Sequence, residues 1–409
     1  MTTLQLLSWI TAALVLQVGV ASAIAVWRRR GWRPPPSGPG PATAEEPRHE
    51  AGWQRFRVVQ RDYEDAAGTQ LSFYLAPVDG QPLPDFRPGQ FLTFSLPVGP
   101  GAEEGRTTTR CYSLSDRPDP ARYRVTIKRV TAPADRPDVS PGLSSGHFHD
   151  AVQVGDELRI RAPSGRFFMD PDSMVPVVLI AGGIGITPIM SMLRWCLAER
   201  PGRPIHLYYG VRNGREQAFK RQIEELAATH AEVHLHVVYS RPGEGDVQGR
   251  DFQHRGHVDV DLLRRTLPHG RHQFYVCGPP TMMQTLVPAI ADWGVPLADL
   301  HYEAFGPASV RLPGAEVLTG VPATPPVEVR FRRSGRTLTW DGSDATLLDF
   351  SERHGIALDS GCRSGGCGTC ETRLVEGTVL YEHAPDHEIT PGHCLMCVGR
   401  PASSIVLEA

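Results

Sequence analysis

Five of the eight cysteines in this 409-residue chain, Cys362, Cys367, Cys370, Cys394 and Cys397, crowd into one short stretch. Three of them stand in Cys362-Arg363-Ser364-Gly365-Gly366-Cys367-Gly368-Thr369-Cys370. This uneven C-x4-C-x2-C run, completed by one distant cysteine, is the thiolate spacing of a [2Fe–2S] loop. A disulfide scaffold is excluded, because eight cysteines in so long a chain are too few and too clustered. The paired ligands of a tetrahedral zinc site would not be spaced so unevenly. Glycines between the thiolates let such a loop wrap its cluster and aim backbone N–H groups at the sulfurs.

At about 150 residues per domain the length predicts two to four domains. Hydrophobic residues at 41% and charged residues at 21% are ordinary globular values, and a net charge of -3 excludes a general attraction to nucleic acid. Lys128 and Lys220 are the only lysines among 42 basic residues, so a single arginine carries little weight as a site marker.

From Leu4 to Trp27 no residue is charged, and a helix of that length reaches about 36 Å at 1.5 Å per residue. Arg28, Arg29, Arg30 and Arg33 follow at once. The expectation is a single-pass transmembrane helix over residues 1–27 in the inner or plasma membrane, with the C-terminal domains cytoplasmic. A cleaved leader ending near Ala21-Ser22-Ala23 is the competing reading. Residues 28–52, with Pro34-Pro35-Pro36, read as a Pro/Gly-rich linker.

Residues 53–172 carry short alternating segments between Gly/Pro turns, at Phe56–Val58, Leu71–Tyr74, Phe91–Phe94, Tyr123–Thr126 and Glu157–Ile160, which predict an antiparallel β-barrel. Within it lie Arg87-Pro88-Gly89-Gln90-Phe91, Arg110-Cys111-Tyr112-Ser113-Leu114, Lys128-Arg129, Gly142-Leu143-Ser144-Ser145 and Ala162-Pro163-Ser164-Gly165. In order and spacing this region resembles the flavin domain of the ferredoxin-NADP reductase superfamily, especially the reductase half of flavohemoglobins. The resemblance implies flavin contacts at Phe91, Arg110, Cys111, Tyr112, Ser113, Lys128, Gly142 and Ser145. An aromatic at Tyr112 suits stacking on the isoalloxazine, Ser113 hydrogen bonding near its N5, and Arg110 neutralising the pyrophosphate. Backbone N–H groups after Gly142 suit an anion at a helix start. Gly146 and Phe148 depart from the pattern at the phosphate end. FAD is favoured over FMN, which relatives of similar layout use.

Residues 173–307 repeat a strand, turn and helix pattern. Val175–Ile180 is a continuous apolar run of the kind buried on both faces, and it leads through Gly182-Gly183-Ile184-Gly185-Ile186-Thr187-Pro188 into the helical Ile189–Arg200. Strands at Ile205–Tyr209 and Val233–Tyr239 flank the helical Glu216–His230, predicting an α/β parallel sheet. Tyr275-Val276-Cys277-Gly278-Pro279-Pro280 breaks a further strand into a helix. This pairing resembles the NAD(P) half of the same superfamily. It implies nucleotide contacts at Gly182, Gly183, Gly185, Thr187, Pro188, Cys277, Gly278 and Pro279, and Phe305 covering the flavin ring. Ser240 and Arg241, assisted by Arg212, suit a 2′-phosphate, leaving NADH and NADPH both open.

After a linker over 308–326, residues 327–409 predict a hairpin around Ser334-Gly335 and a helix over Thr346–His354, and they resemble the α+β β-grasp fold of plant-type ferredoxins. That resemblance implies Cys362, Cys367, Cys370 and Cys397 as metal ligands, since Leu395-Met396-Cys397-Val398 matches its ending. Cys394 is then a spare thiol. From Pro325 onward 12 acidic residues face 8 arginines, a balance of 8 - 12 = -4 that suits a basic redox partner.

The whole reads as a multidomain, membrane-anchored reductase carrying electrons from NAD(P)H through FAD to a [2Fe–2S] cluster and on to an acceptor protein such as an oxygenase, hydroxylase, desaturase or cytochrome. A flavin is required because nicotinamide gives two electrons together and the cluster takes one at a time. Ser113 and Glu303 are the candidates for tuning the flavin, Cys277 and Thr187 for orienting nicotinamide. The alternatives are a subunit of a quinone-reductase-like membrane complex, in which the ferredoxin part comes first, and a cluster-based redox sensor.

Overall fold

The computed structural model describes residues 52–98, 107–132, 140–305 and 326–409, apart from 357, 362, 364, 366–367, 382–384, 386 and 388. Among the described residues three large sheets follow one another along the chain, with a two-stranded fourth beside the last.

The first is built from β1 (Trp53–Tyr63), β2 (Gln70–Pro77), β3 (Phe91–Leu96), β4 (Thr108–Ser113), β5 (Tyr123–Lys128) and β6 (Glu157–Ser164), with α1 (Leu143–Asp150) between the last two. Its order is β4-β3-β6-β1-β2-β5, with every pair antiparallel. The ends meet at the bridge between Leu114 and Val125, so the sheet closes into a barrel. Alternate residues face inward: Phe56 and Val58, Leu71, Phe73 and Leu75, Leu92, Phe94 and Leu96, Tyr123, Val125 and Ile127, Leu158 and Ile160. Burying each is worth about 1.5–3 kcal/mol. That period of two is what the sequence alternation encodes.

The second sheet holds β7 (Val177–Gly182), β8 (Ile205–Val211), β9 (Val233–Tyr239), β10 (His254–Arg255), β11 (Gln273–Gly278) and β12 (Leu300–Ala304) in the all-parallel order β10-β9-β8-β7-β11-β12. Its helices are α2 (Ile186–Glu199), α3 (Lys220–Thr229), α4 (Val260–Thr266) and α5 (Pro280–Asp292). Central strands β7 and β11 are buried on both faces, as continuous apolar runs require. β7 starts two residues later than expected, because Pro176 has no N–H to give and the Val175 carbonyl is taken by the buried Arg203 Nε at 2.7 Å. The helix expected over Glu216–His230 shrinks to α3. Phe219 adopts a left-handed conformation (φ 57°) and gives its N–H to the Glu64 carbonyl of the barrel at 3.0 Å.

That bond is part of a seam between the two sheets. Ala67 N–H donates to the Arg215 carbonyl at 2.9 Å and the Gln70 amide to that of Glu216 at 2.8 Å. Asp116 receives Arg194 at 2.9 Å on its carboxylate and Ser191 Oγ at 2.6 Å on its carbonyl.

The third sheet comprises β13 (Val327–Phe331), β14 (Arg336–Trp340), β15 (Glu371–Glu376), β17 (His393–Leu395) and β19 (Ile405–Leu407) in the order β14-β13-β19-β15-β17. A small ladder pairs β16 (Val379–Tyr381) with β18 (Gly399–Pro401). β13 and β14 form the expected hairpin, and β19 runs parallel to β13. Helix α6 (Leu347–Arg353) is capped by Thr346, whose Oγ accepts the Asp349 N–H at 3.2 Å. Leu347, Leu348 and Phe350 bury against Val329, Phe331 and Ile405.

One expectation is corrected. The fold class drawn from the sequence included an N-terminal transmembrane helix over residues 1–27. No helix among the described residues is long and apolar enough to cross a membrane, and residues 1–51 lie outside them. A charge-free run followed by arginines, on which the helix rested, does not by itself establish a span. The membrane location rested on the same segment. Barrel, parallel-sheet domain and ferredoxin-like domain fit the expected architecture.

Candidate active site and cluster loop

The barrel brings Arg110, Cys111, Tyr112 and Ser113 together on β4, beside β3. Tyr112 is half-buried, and its ring meets Phe94 edge-on at 5.6 Å and Phe148 at 5.2 Å between centroids. Burial raises its phenol well above the ordinary value, so it stays a neutral aromatic at all working pH. Ser113 is buried and pairs across the ladder with Phe91. A Cβ on Gly165 (φ +116°) would lie 2.8 Å from the Phe91 ring, so this turn needs glycine twice over. Cys111 Sγ lies 3.5 Å from Thr93 Oγ1, and exposed Arg110 bonds the Thr109 carbonyl at 2.7 Å.

Two expected flavin contacts are engaged elsewhere. Ser145 Oγ, at the start of α1, accepts the Val130 N–H at 3.1 Å and donates to the Gly142 carbonyl at 3.0 Å. Lys128 reaches Glu216 at 3.4 Å, across the seam, and Glu216 also holds Arg212 at 3.5 Å. Sequence reasoning missed Glu216, whose role depends on a partner 88 residues away.

In the parallel sheet, Gly182 ends β7, Gly183–Gly185 forms a single tight turn, and Thr187 and Pro188 open α2. Pro188 is tolerated there because the first-turn N–H groups have no helical partner. The neighbouring strand ends at Gly278, with Pro279 capping α5. The two turns touch: a Cβ on Gly185 would lie 2.8 Å from Gly278 N, and one on Gly182 would lie 2.7 Å from Pro279 Cδ. Gly183, where a Cβ would meet nothing within 4 Å, leaves open backbone ahead of the α2 N-terminus, which fits a nucleotide pyrophosphate.

Cys277 is fully buried, and burial, then the Glu303 charge, pushes its thiol well up. It pairs with Glu303 across β11 and β12. Thr187 is also buried, its hydroxyl donating to the Ile184 carbonyl at 3.1 Å. Phe305 packs against the domain core. Ser240 and Arg241 follow β9, and Arg241 N–H donates to the Arg212 carbonyl at 2.8 Å, which sets these two arginines side by side.

In the third domain Cys370 and Cys397 are buried together, and the Cys397 N–H donates to Cys370 Sγ at 3.4 Å. A backbone donor on a thiolate is the kind of contact an iron–sulfur site needs. Cys362 and Cys367 lie outside the described residues, among which no group of three or more metal-ligating side chains converges. Cys394 is buried on β17, its Sγ 4.0 Å from Met396 Sδ. Arg363 takes a left-handed conformation (φ 55°) and pairs with Glu352 and Asp349 of α6, tying the loop to the helix.

Comparison with known proteins agrees with this layout. The oxidoreductase NAD-binding domain family matches residues 179–287, and the 2Fe-2S iron-sulfur cluster binding domain family matches 329–402. A flavohemoprotein of Halalkalibacterium halodurans is 38% identical over 259 residues, covering 63% of this chain and 61% of the relative. The chain therefore spans about three fifths of the length of that curated relative. Among solved structures, the flavohem-like FAD/NAD-binding domain of nitric oxide dioxygenase from Vibrio cholerae O1 biovar El Tor is 32% identical, covering 62% of this chain and 99% of that one, with a TM-score of 0.53. Phthalate dioxygenase reductase, described as a modular structure for electron transfer from pyridine nucleotides to [2Fe-2S], is 25% identical, covering 88% of this chain and 99% of that one, with a TM-score of 0.53.

These features define an oxidoreductase that joins an FAD/NAD-type pair of domains to a C-terminal [2Fe–2S] domain. The chain belongs to the ferredoxin-NADP reductase superfamily.

Proposed function

We propose that the protein is an NAD(P)H-dependent reductase that delivers electrons through FAD and its own [2Fe–2S] domain to a separate acceptor protein, an oxygenase, hydroxylase, desaturase or cytochrome. The observation that carries this reading is the order of barrel, nicotinamide domain and cluster domain in one chain, shared along 88% of its length with phthalate dioxygenase reductase.

When bound, nicotinamide supplies a two-electron donor, FAD a two-to-one electron converter and the cluster a one-electron carrier. The chain's own groups position them. Tyr112, braced by Phe94 and Phe148, offers the flavin a fixed aromatic face, and Arg110 a cation for its phosphates. The Gly183–Gly185 turn, open beside Gly183 where a Cβ would meet nothing within 4 Å, offers backbone to the nucleotide at the start of α2, while Gly185 and Gly278 let the two turns pack together. Cys277 and Glu303, paired at the ends of β11 and β12, stand where this turn meets the segment leading to Phe305. Cys362, Cys367, Cys370 and Cys397 are the proposed cluster ligands.

Anaerobic titration of the purified protein with NADH and with NADPH, followed by visible absorbance and electron paramagnetic resonance, tests the proposal. Flavin bleaching followed by a reduced-cluster signal is expected. Flavin bleaching with an oxidised cluster, even in the presence of excess donor and a mediator, would overturn the relay.

A further inference from the structure

His387, which follows β16 in sequence, contacts Gly365 and Gly368 of the cluster loop. His387 donates its backbone N–H to the Gly365 carbonyl at 3.1 Å. Its ring covers Gly368 so closely that a Cβ there would lie 2.5 Å from Nε2 and 2.6 Å from Nδ1. The same Nε2 sits 3.0 Å from Glu371 Oε2, and the other Glu371 oxygen accepts the Thr390 N–H at 2.6 Å. Pro385 Cβ lies 3.4 Å from where a Gly365 Cβ would be. Gly365 and Gly368 both have positive φ (+78° and +70°) and bracket Cys367 in sequence. Both glycines take a left-handed backbone that a side chain would resist, and one residue, His387, contacts Gly368 by its ring and Gly365 by its backbone. Both partners are sheltered, with side-chain exposures of 28% for His387 and 17% for Glu371, so their contact is partly shielded from water.

We propose that His387 is a positioning residue: bonded to Glu371, seated on Gly368 and joined to the Gly365 carbonyl, it holds these two glycines of the cluster loop in place and thereby sets how firmly, and at what potential, the [2Fe–2S] cluster is held. This goes beyond the relay and rests on the cluster-binding assignment of residues 329–402. His387 is not a ligand; it acts through the loop, as supporting groups around metal sites do.

The test uses the full holoprotein and the variants His387→Ala and His387→Gln. In the wild type, the paramagnetic signal of the reduced cluster reports on the cluster assignment itself. Loss of cluster absorbance to excess chelator is expected to be at least about threefold faster in His387→Ala, with a shifted midpoint in a mediated redox titration. Ferricyanide reduction by NAD(P)H, which needs only the first two domains, should be unchanged. His387→Gln keeps a donor for Glu371 and should restore both quantities most of the way. Gly368→Ala, whose methyl would take the ring's place, should also speed cluster loss, and adding His387→Ala should relieve part of that effect. Wild-type loss rate and potential in His387→Ala would overturn the proposal, as would a glutamine variant no better than the alanine one. Failure of both His387 variants to take up cluster also counts against it, whereas uptake by the glutamine variant alone supports it.

Discussion

Gly185→Ala tests how closely the two nucleotide-binding turns approach each other. A Cβ at this position would lie 2.5 Å from the Cys277 carbonyl carbon, 2.8 Å from Gly278 N and nearer still to the Cys277 oxygen. Non-bonded carbon contacts are comfortable from about 3.5 Å, so the turns must part by about 1 Å. No flexible side-chain end can swing away, because both sides are backbone held by the β7–β11 register from Val177–Gln273 to Ala181–Cys277. Overpacking of this kind costs about 1–3 kcal/mol. Borne wholly by the nucleotide complex, that is about a 5- to 140-fold weaker affinity, at tenfold per 1.4 kcal/mol. Borne by the fold, it lowers Tm by about 2–4 °C for each kcal/mol. Ferricyanide reduction with varied NADH and NADPH, alongside thermal melting, separates the two. A variant with unchanged KM for both nucleotides and an unchanged Tm would refute the backbone contact between these turns.

Cys397→Ser should abolish the cluster signal and Cys394→Ser should spare it; iron and sulfide analysis of the two variants decides between these neighbours as fourth ligand. Ser113→Ala should slow single-turnover flavin reduction about 5- to 10-fold, the worth of one hydrogen bond, with flavin still bound, and an unchanged stopped-flow rate would remove its role. Burial, then the neighbouring imidazoles, pushes His206 and His236 down to about 4. His206 faces His234 and His272, while His236 faces His254 and Tyr208. Because the unfolded chain binds more protons between about pH 6.5 and 4, this contribution to stability is complete above that window and drains away as pH falls through it. Melting temperatures at pH 7.5, 5.5 and 4.5 should decline more steeply in the wild type than in the double variant His206→Gln, His236→Gln, and equal slopes would contradict the assignment.

What could be read from the chain beforehand was whatever local spacing dictates. The cysteine run, the Gly182–Pro188 turn between an apolar strand and a helix, and the alternation of the barrel strands each state their geometry within a few residues. Phe219 was not legible: its left-handed conformation comes from a bond to Glu64 in another domain, and no local propensity announces it. The partners of Lys128 and Ser145 were not legible either: Lys128 pairs with Glu216 across the seam, and the Ser145 hydroxyl bonds the Val130 N–H and the Gly142 carbonyl. His387 and Glu371 are ordinary polar residues in sequence, 16 positions apart, and become partners only when β15 and the loop before β17 fold together. Cys277, expected near the nicotinamide, lies fully buried on β11 and pairs with Glu303, a neighbour that only the β11–β12 register supplies.

The seam joining barrel and nicotinamide domain has a consequence for protein engineering. Its bonds run through main-chain atoms at 64, 67, 116, 215, 216 and 219 as well as through side chains. A chimera that swapped either half alone would have to bring a matching loop geometry on both sides, so recombination libraries should cut after residue 305 rather than near residue 172.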